Sequence, residues 1–328
     1  MKIGMITDSL PGTDFDTLVA TAARLELDML EFGCGNWSSA PHLDLDRMLS
    51  SESARREFKA RLAAHDIAIS ALNCSGNPLH PGEAGRRHDE VTRKTIRLAS
   101  LMGVDRVVMM SGCPGAPGDS HANWITTEWP PEVREILRWQ WDEVLIPYWR
   151  DLVAYANGLG IRKLCLELHG HQNVYNVRTL LRLRDAVGET VGANFDPSHP
   201  MWMGADPIAG ARALGEAIYY VHAKDTRIDP VIAAVNGLIE TTPGDRFRDR
   251  AWNYITLGYG HGEQWWREFV AVLAAVGYDD VFSIEHEDPM LTALEGVEKS
   301  VAFLRNVLIN LPHARDGPLA PLAGRGPG

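Results

Sequence analysis

The sequence predicts an α/β fold, a single-domain (β/α)8 TIM barrel with long loops after strands four and seven, and three observations carry that expectation. Strand-like and helix-like stretches alternate along nearly all of the 328 residues, the pattern of a parallel sheet with helical returns. The strand-like stretches number eight, the count that closes such a barrel. The fifth to eighth of them each run from apolar residues into acids and imidazoles: Leu166-Glu167-Leu168-His169, Asn194-Phe195-Asp196-Pro197-Ser198-His199, Val221-His222-Ala223-Lys224-Asp225 and Ser283-Ile284-Glu285-His286-Glu287-Asp288. A closed barrel places such ends on one rim, at the face where its loops form sites. An open, doubly wound sheet would not gather consecutive strand ends around one point so easily.

The first strand spans Lys2 to Thr7, and Asp14 to Leu27 carries Phe15, Leu18, Val19, Ala22 and Leu25 at helical spacing, with Asp14 or Thr13 to cap it. The second strand, Met29 to Phe32, leads into a Gly, Asn and Ser loop with Trp37 and His42. Helices near Ser53 to His65 and Ala84 to Met102 flank the third strand, Ile67 to Leu72, and the fourth runs from Arg106 to Met110. Gly112 to Pro131 holds four prolines, three glycines and two tryptophans, so it reads as a long irregular loop of the kind that carries function. A long aromatic helix from about Glu132 to Leu159 should kink or break at Pro147. Leu164 to Leu168 is strand five, Val191 to Phe195 six, Ala217 to His222 seven and Val281 to Ile284 eight. Between the last two, Asp225 to His261 is the longest insertion, and a helix near Leu294 to Asn310 closes the set. The barrel is expected to occupy 1–311, and the Pro/Gly-rich tail, 312–328, to be disordered.

Composition narrows the partners. A formal net charge of −11 argues against a nucleic acid or an anionic membrane as the main partner, since both need a basic face. Cys34, Cys74, Cys113 and Cys165 lie far apart with no CxxC pair, and together with the lack of a signal peptide and of any apolar run of membrane-spanning length they point to the cytoplasm. Aromatic residues on the long helix, near Trp139 and Trp149, fit a homo-oligomer.

The site is read from the strand ends. Side chains alternate along a strand, so Glu167 and His169 share a face, with Leu166 and Leu168 on the other. Buried acids need compensation, and acid, acid, imidazole, acid at four neighbouring strand ends point to a cation held by Glu167, Asp196, His222 and Glu285. Such an oxygen-rich set suits Mn2+, with Mg2+, Co2+ or Zn2+ as alternatives. The competing explanation pairs each acid with its own Lys or Arg, for which Lys224 and Arg227 are the evident partners. His169 reads as a proton shuttle or as a buried imidazole bonded to a nearby loop, and His199, three residues after Asp196, as a group for a substrate hydroxyl. Lys224 either polarises a carbonyl or pairs with Asp225 or Glu285. Trp37, Trp124 and Trp252 fall in loops after strands, where an indole face packs on a sugar ring or anchors a loop. No phosphate-cradling P-loop and no dinucleotide fingerprint is present, so the expected substrate is a small sugar or keto-sugar without a phosphate.

On the motifs Leu-Glu-Leu-His, Asn-Phe-Asp-Pro-Ser-His, Val-His-Ala-Lys-Asp and Ile-Glu-His-Glu-Asp, the chain resembles the sugar phosphate isomerase/epimerase superfamily, with its xylose-isomerase-like TIM barrel, over about Met1 to Leu311. The resemblance implies a metal on Glu167, Asp196, His222 and Glu285, proton exchange on opposite faces of the substrate by Glu167 and Glu285, and a substrate-binding His199. It implies a metal-dependent isomerase or epimerase working through an enediolate, or, as in related barrels, a lyase performing β-elimination on 3-keto sugars or 3-keto-glycosides, similar to C-glycoside deglycosidases, with His169 as acid or base. The epimerases' arginine stands six residues after the strand-seven histidine, whereas Arg227 stands five after His222.

Overall fold

In the computed structural model, which describes residues 1–310, strands β1 (Lys2–Ile6), β2 (Met29–Gly33), β3 (Ala68–Asn73), β4 (Arg106–Met109), β5 (Lys163–Glu167), β6 (Val191–Asn194), β7 (Ile218–Ala223) and β10 (Val281–Ile284) form the walls of a closed parallel barrel. Each strand pairs with its chain neighbour, and β10 closes the ring between β7 and β1. Two further strands, β8 (Asp225–Ile228) and β9 (Trp252–Ile255), make a separate antiparallel ribbon. The tail expected to be disordered, 312–328, lies outside the described residues. Among the described residues no helix is long and apolar enough to cross a membrane.

Strand alternation separates two cores. Leu164 and Leu166 of β5, with Phe282 and Ile284 of β10, face the helices in the large outer cluster, while Cys165, Ala71, Val108, Tyr220 and Val281 fill the barrel interior. The interior turns polar toward the strand C-termini: Tyr220 and Ser70 share a hydrogen bond of 2.7 Å, and Glu31, Asn73, His222 and Ser283 lie above them, all buried. The four cysteines are free and buried. Helix ends follow the expected signals, with Asp14 accepting from the Thr17 amide at 2.7 Å and Gly103 ending the helix Glu83–Met102 at φ 69°.

The long aromatic helix does not break at Pro147. It runs as Glu132–Trp139 and Ile146–Gly158 joined by a π-helical turn over Gln140–Leu145. Proline removes one N–H and crowds the preceding turn, and a widened turn directly before it absorbs both effects without a break. That turn also aims buried Gln140 at the long loop after β4, where its amide donates to the carbonyls of Pro114, Gly115 and Asn123 at 3.1, 3.1 and 2.8 Å. The aromatic face is inward: Trp141 and Trp149 are 2% and 0% exposed, and Trp149 donates to the Ser111 carbonyl at 2.9 Å. Trp149 is therefore core, whereas Trp139 is half-buried at the end of a stretch, Glu132–Trp139, that has no buried residue.

The insertion after β7 also departs from a plain loop. It builds the ribbon and a short helix, Pro230–Asn236. Thr226 opposes Tyr254 and Ile228 opposes Trp252 on one ribbon face, while Asp225 with Ile255 and Arg227 with Asn253 occupy the other. Asp225 is fully buried and anchors the ribbon's base. Its Oδ2 accepts from the amides of His261, Gly260 and Gly258 at 2.8, 3.2 and 3.3 Å, and its Oδ1 accepts from Thr226 N and pairs with His261 Nδ1, both at 2.8 Å. The glycine run follows from this cradle, since Gly258 has φ +86° and a Cβ on Gly260 would sit 2.6 Å from Asp225 Oδ1. His261 is thus a bonded residue of the loop base.

Candidate functional site

Glu167 ends β5, Asp196 lies two residues past β6, His222 is within β7 and Glu285 directly follows β10. One ligand atom from each falls within 4.8 Å of the others. Glu167, Asp196 and His222 are buried, and the Glu285 side chain keeps 18% of its surface open.

His222 is oriented from below by Glu31, a residue the sequence reading passed over. Glu31 is fully buried in β2 and stands 3.0 Å from His222 Nε2, and it also accepts from Ser283 Oγ at 2.7 Å and from Asn73 Nδ2 at 2.8 Å. The carboxylate thereby holds Nε2 and turns Nδ1 to the cluster, 3.2 Å from Glu285 Oε2. Against its burial, Glu31 and then Glu285 hold the imidazole's pKa well above its ordinary value, so a cation would take Nδ1 in exchange for its proton. The signal existed in Met29-Leu30-Glu31-Phe32-Gly33, a lone acid in an apolar strand, the same signal that singled out Glu167.

Above the cluster, His199 occupies the first turn of a short helix, Ser198–Trp202. Its Nε2 lies 2.8 Å from Glu167 Oε1 and 3.2 Å from Asp196 Oδ2, and its Nδ1 shares a hydrogen bond of 2.9 Å with the Tyr254 hydroxyl. So His199 braces two candidate ligands and is itself held by the ribbon, a contact that no local pattern around Tyr254 announces. Burial disfavours the imidazolium, yet Asp196 outweighs it and raises His199 to about 9. Asp196 is drawn down to about 2 against its burial by Lys224 and His199. Burial and the neighbouring His199 push His169 down to about 4. His169 Nδ1 lies 2.5 Å from the Gly170 carbonyl, and its ring meets that of His199 at 4.2 Å.

Lys224 is 3% exposed and reaches Glu285 at 2.7 Å, Glu287 at 3.1 Å and Asp196 at 3.4 Å, with its ammonium 4.4 Å from the Tyr254 ring centroid. One half of the competing explanation is therefore present, in the form of Lys224 with Glu285, although Asp225 is not its partner. It does not satisfy the whole set. Asp196 Oδ2 and His222 Nδ1 are buried and make no hydrogen bond, and buried polar atoms left in that state are costly. A divalent cation would take both, together with Glu167 and Glu285, and the donor set of three carboxylates and one imidazole nitrogen suits such an ion.

The remaining expected residues are dispersed. Arg227 is exposed on the ribbon face opposite Tyr254, forms no ion pair with the three acids of the cluster among the described residues, and lines a separate cleft. Trp252 is 8% exposed and stacks on Trp202 at 4.7 Å, so the ring supports the ribbon. Trp124 packs against His171 and Tyr175 at 5.0 and 5.5 Å. Trp37 is 55% exposed, edge-on to His88. His286 turns away from the mouth and fills the space over Gly296 in the last helix.

Barrel and cluster together define a TIM-barrel protein that gathers three acids and an imidazole, a set that could hold a metal ion, at its mouth. The chain belongs to the xylose isomerase-like TIM barrel family, whose model matches residues 19–307. It is 48% identical over 311 residues to the uncharacterized protein YfiH of Bacillus subtilis (strain 168), covering 94% of this chain and 99% of that one. Among solved structures it is similar to the probable 3-DHS dehydratase AsbF of Bacillus anthracis, with TM-score 0.65 and 17% identity over 93% of this chain and 99% of that one. It is similar also to an L-ribulose 3-epimerase, with TM-score 0.62 and 16% identity over 94% of each chain. These two likenesses concern the fold.

Proposed function

We propose that the protein is a divalent-metal-dependent isomerase or epimerase that moves a proton on the carbon next to the carbonyl of a sugar or keto-sugar. The observation that carries this reading is the pair of buried atoms without hydrogen bonds, Asp196 Oδ2 and His222 Nδ1, inside a cluster whose ligand atoms lie within 4.8 Å. Glu167, Asp196, His222 and Glu285 would hold Mn2+, or Mg2+, Co2+ or Zn2+ in its place, and the bound ion would polarise the substrate carbonyl. Glu167 and Glu285 come from strands separated by β6 and β7, so a sugar lying between them has a carboxylate on each side to take and return the proton. Both are kept ionised against their burial, Glu167 by the hydrogen bond from His199 with His222 nearby, and Glu285 by Lys224 and then His222. His199 fixes the position of Glu167, and Lys224 supplies a positive donor beside Glu285 for a substrate oxygen. The fold's likeness to an epimerase is consistent with this reading.

Lyase chemistry on a 3-keto sugar or 3-keto-glycoside is the second reading, and His169 favours it. With Nδ1 engaged by the Gly170 carbonyl and its pKa held to about 4, His169 is a neutral imidazole at pH 7. Its ring, against that of His199 at 4.2 Å, would add a weak base beside Glu167, which exchange between two glutamates does not need. Proton NMR in D2O, with Mn2+ and a panel of ketohexoses and 3-keto-glucosides, separates the two. Deuterium next to the carbonyl with an epimer or isomer as product supports the first reading, whereas release of an aglycone or water supports the second. Exchange with no substrate, or exchange unchanged by Glu167→Gln, contradicts both.

A further inference from the structure

The ribbon that roofs the ligand cluster with Tyr254 has a second face, and arginines collect there. A cleft of ≈ 590 Å³ is lined by Arg227, Arg248, Arg250 and Asn253, with Phe247 and Met290 among its apolar walls. None of the three arginines has a carboxylate within 4.0 Å among the described residues, in a chain of net charge −11. The acid in the lining, Asp229, spends Oδ1 on capping the short helix, accepting from Val231 N at 3.0 Å and Ile232 N at 2.9 Å. Arg250 is held in place: Nε donates to the Trp252 carbonyl at 3.2 Å, Nη1 to the Thr242 carbonyl, and the guanidinium lies 4.8 Å from the Trp252 ring centroid. Arg248 rests 5.5 Å from the Phe247 ring centroid. Asn253 donates to the Phe247 carbonyl at 2.8 Å, which ties the floor of the cleft to its wall.

Guanidinium groups present planar, paired donors that match carboxylate and phosphate oxygens. Three of them lining one cleft with a single acid, Asp229, and none in an ion pair among the described residues, beside an apolar wall, fit a small organic anion better than a bare ion. The location is also informative, because Arg227 and Asn253 pair across the ribbon, one residue away from Thr226 and Tyr254. Those neighbours bond Ser198 and His199 at the cluster. We propose that this cleft is an anion-binding site, taking the carboxylate or phosphate group of a small molecule next to the roof of the catalytic centre. The absence of a glycine-rich phosphate loop does not oppose it, since side chains provide the donors here. The part of the proposal that makes the anion a substituent of the substrate rests on the function proposed above; binding itself does not.

Calorimetric titration of the full chain with inorganic phosphate and with citrate at low ionic strength tests it, on metal-stripped and on Mn2+-loaded protein. The expected result is saturable binding of one anion per chain in both states, weakened tenfold or more in an Arg227→Gln/Arg248→Gln variant. Both side chains are exposed, so the variant should melt with the wild type, and Arg248→Lys, which keeps the charge but loses the fork, should fall between the two. No saturable binding, or equal binding by wild type and double variant, overturns the proposal and marks any uptake as nonspecific. Turnover then distinguishes the source: a KM raised in the variant for an anionic sugar alone assigns the anion to the substrate, and equal KM values despite the variant's weakened anion binding assign it to a separate ligand. An inactive protein that still binds anions through these arginines would sink the proposed activity and leave the site standing.

Discussion

At the scale of single residues, Glu31 and Lys224 act on the candidate centre in opposite directions. Glu31 holds Nε2 of His222 and so presents Nδ1 to the other ligands. Replacing it by Gln keeps the shape but removes the charge and allows the amide to face either way. Mn2+ affinity measured by calorimetry should fall roughly 10–100-fold in Glu31→Gln, the usual cost of losing such an outer partner. Lys224 places an ammonium against two of the carboxylates that would bind the ion, Glu285 and Asp196. Like charges a few ångströms apart repel, so Lys224→Met should bind Mn2+ about tenfold more tightly, a gain of roughly 1.4 kcal/mol, while losing turnover. Unchanged or weaker binding would show that the lysine does not compete with the ion.

At the scale of elements, the ribbon joins stability to the site. Asp225 accepts from Thr226 N at one end and from three amides of the glycine run at the other. Asp225→Ala leaves buried donors without an acceptor, at about 1–3 kcal/mol for each group that water cannot reach. A net loss of about 3 kcal/mol would lower the melting temperature of a domain this size by roughly 5 °C, and differential scanning calorimetry reads it directly. The ribbon also marks where sequence reasoning stopped. Strands such as Lys163–Glu167 are legible because they sit in long apolar stretches with alternating faces. Asp225–Ile228 and Trp252–Ile255 are four residues each and pair across a long segment whose turn signal, Asn236-Gly237, ends a helix instead of joining the two strands. Their register, and with it the contact of Tyr254 with His199, is set by tertiary packing. Helix Ser198–Trp202 escaped for a related reason, being five residues long with proline at its N-cap.

For the whole molecule, the barrel and the four strand ends were readable because a closed parallel sheet turns chain order into spatial order. Residues at the ends of successive strands become neighbours without any further information. What lies across the barrel is not encoded this way. Glu31 reaches His222 from β2, 191 positions away in the chain, and only closure brings them together. The direction of the indoles was equally illegible, since Trp37, Trp124 and Trp252 follow strands alike, yet Trp252 is packed into the ribbon and Trp37 is 55% exposed. The same closure makes the cation a global ligand: it would tie β5, β6, β7 and β10 at one point, and at a hundredfold excess over its dissociation constant it should stabilise the fold by about 2.7 kcal/mol. The central claim is one divalent site made by Glu167, Asp196, His222 and Glu285, and Mn2+ titration followed by electron paramagnetic resonance tests it most directly. One tight ion per chain, lost in both Asp196→Asn and His222→Gln while their circular dichroism stays that of the wild type, is the predicted result. Absence of tight binding, or binding that both variants retain, would contradict it.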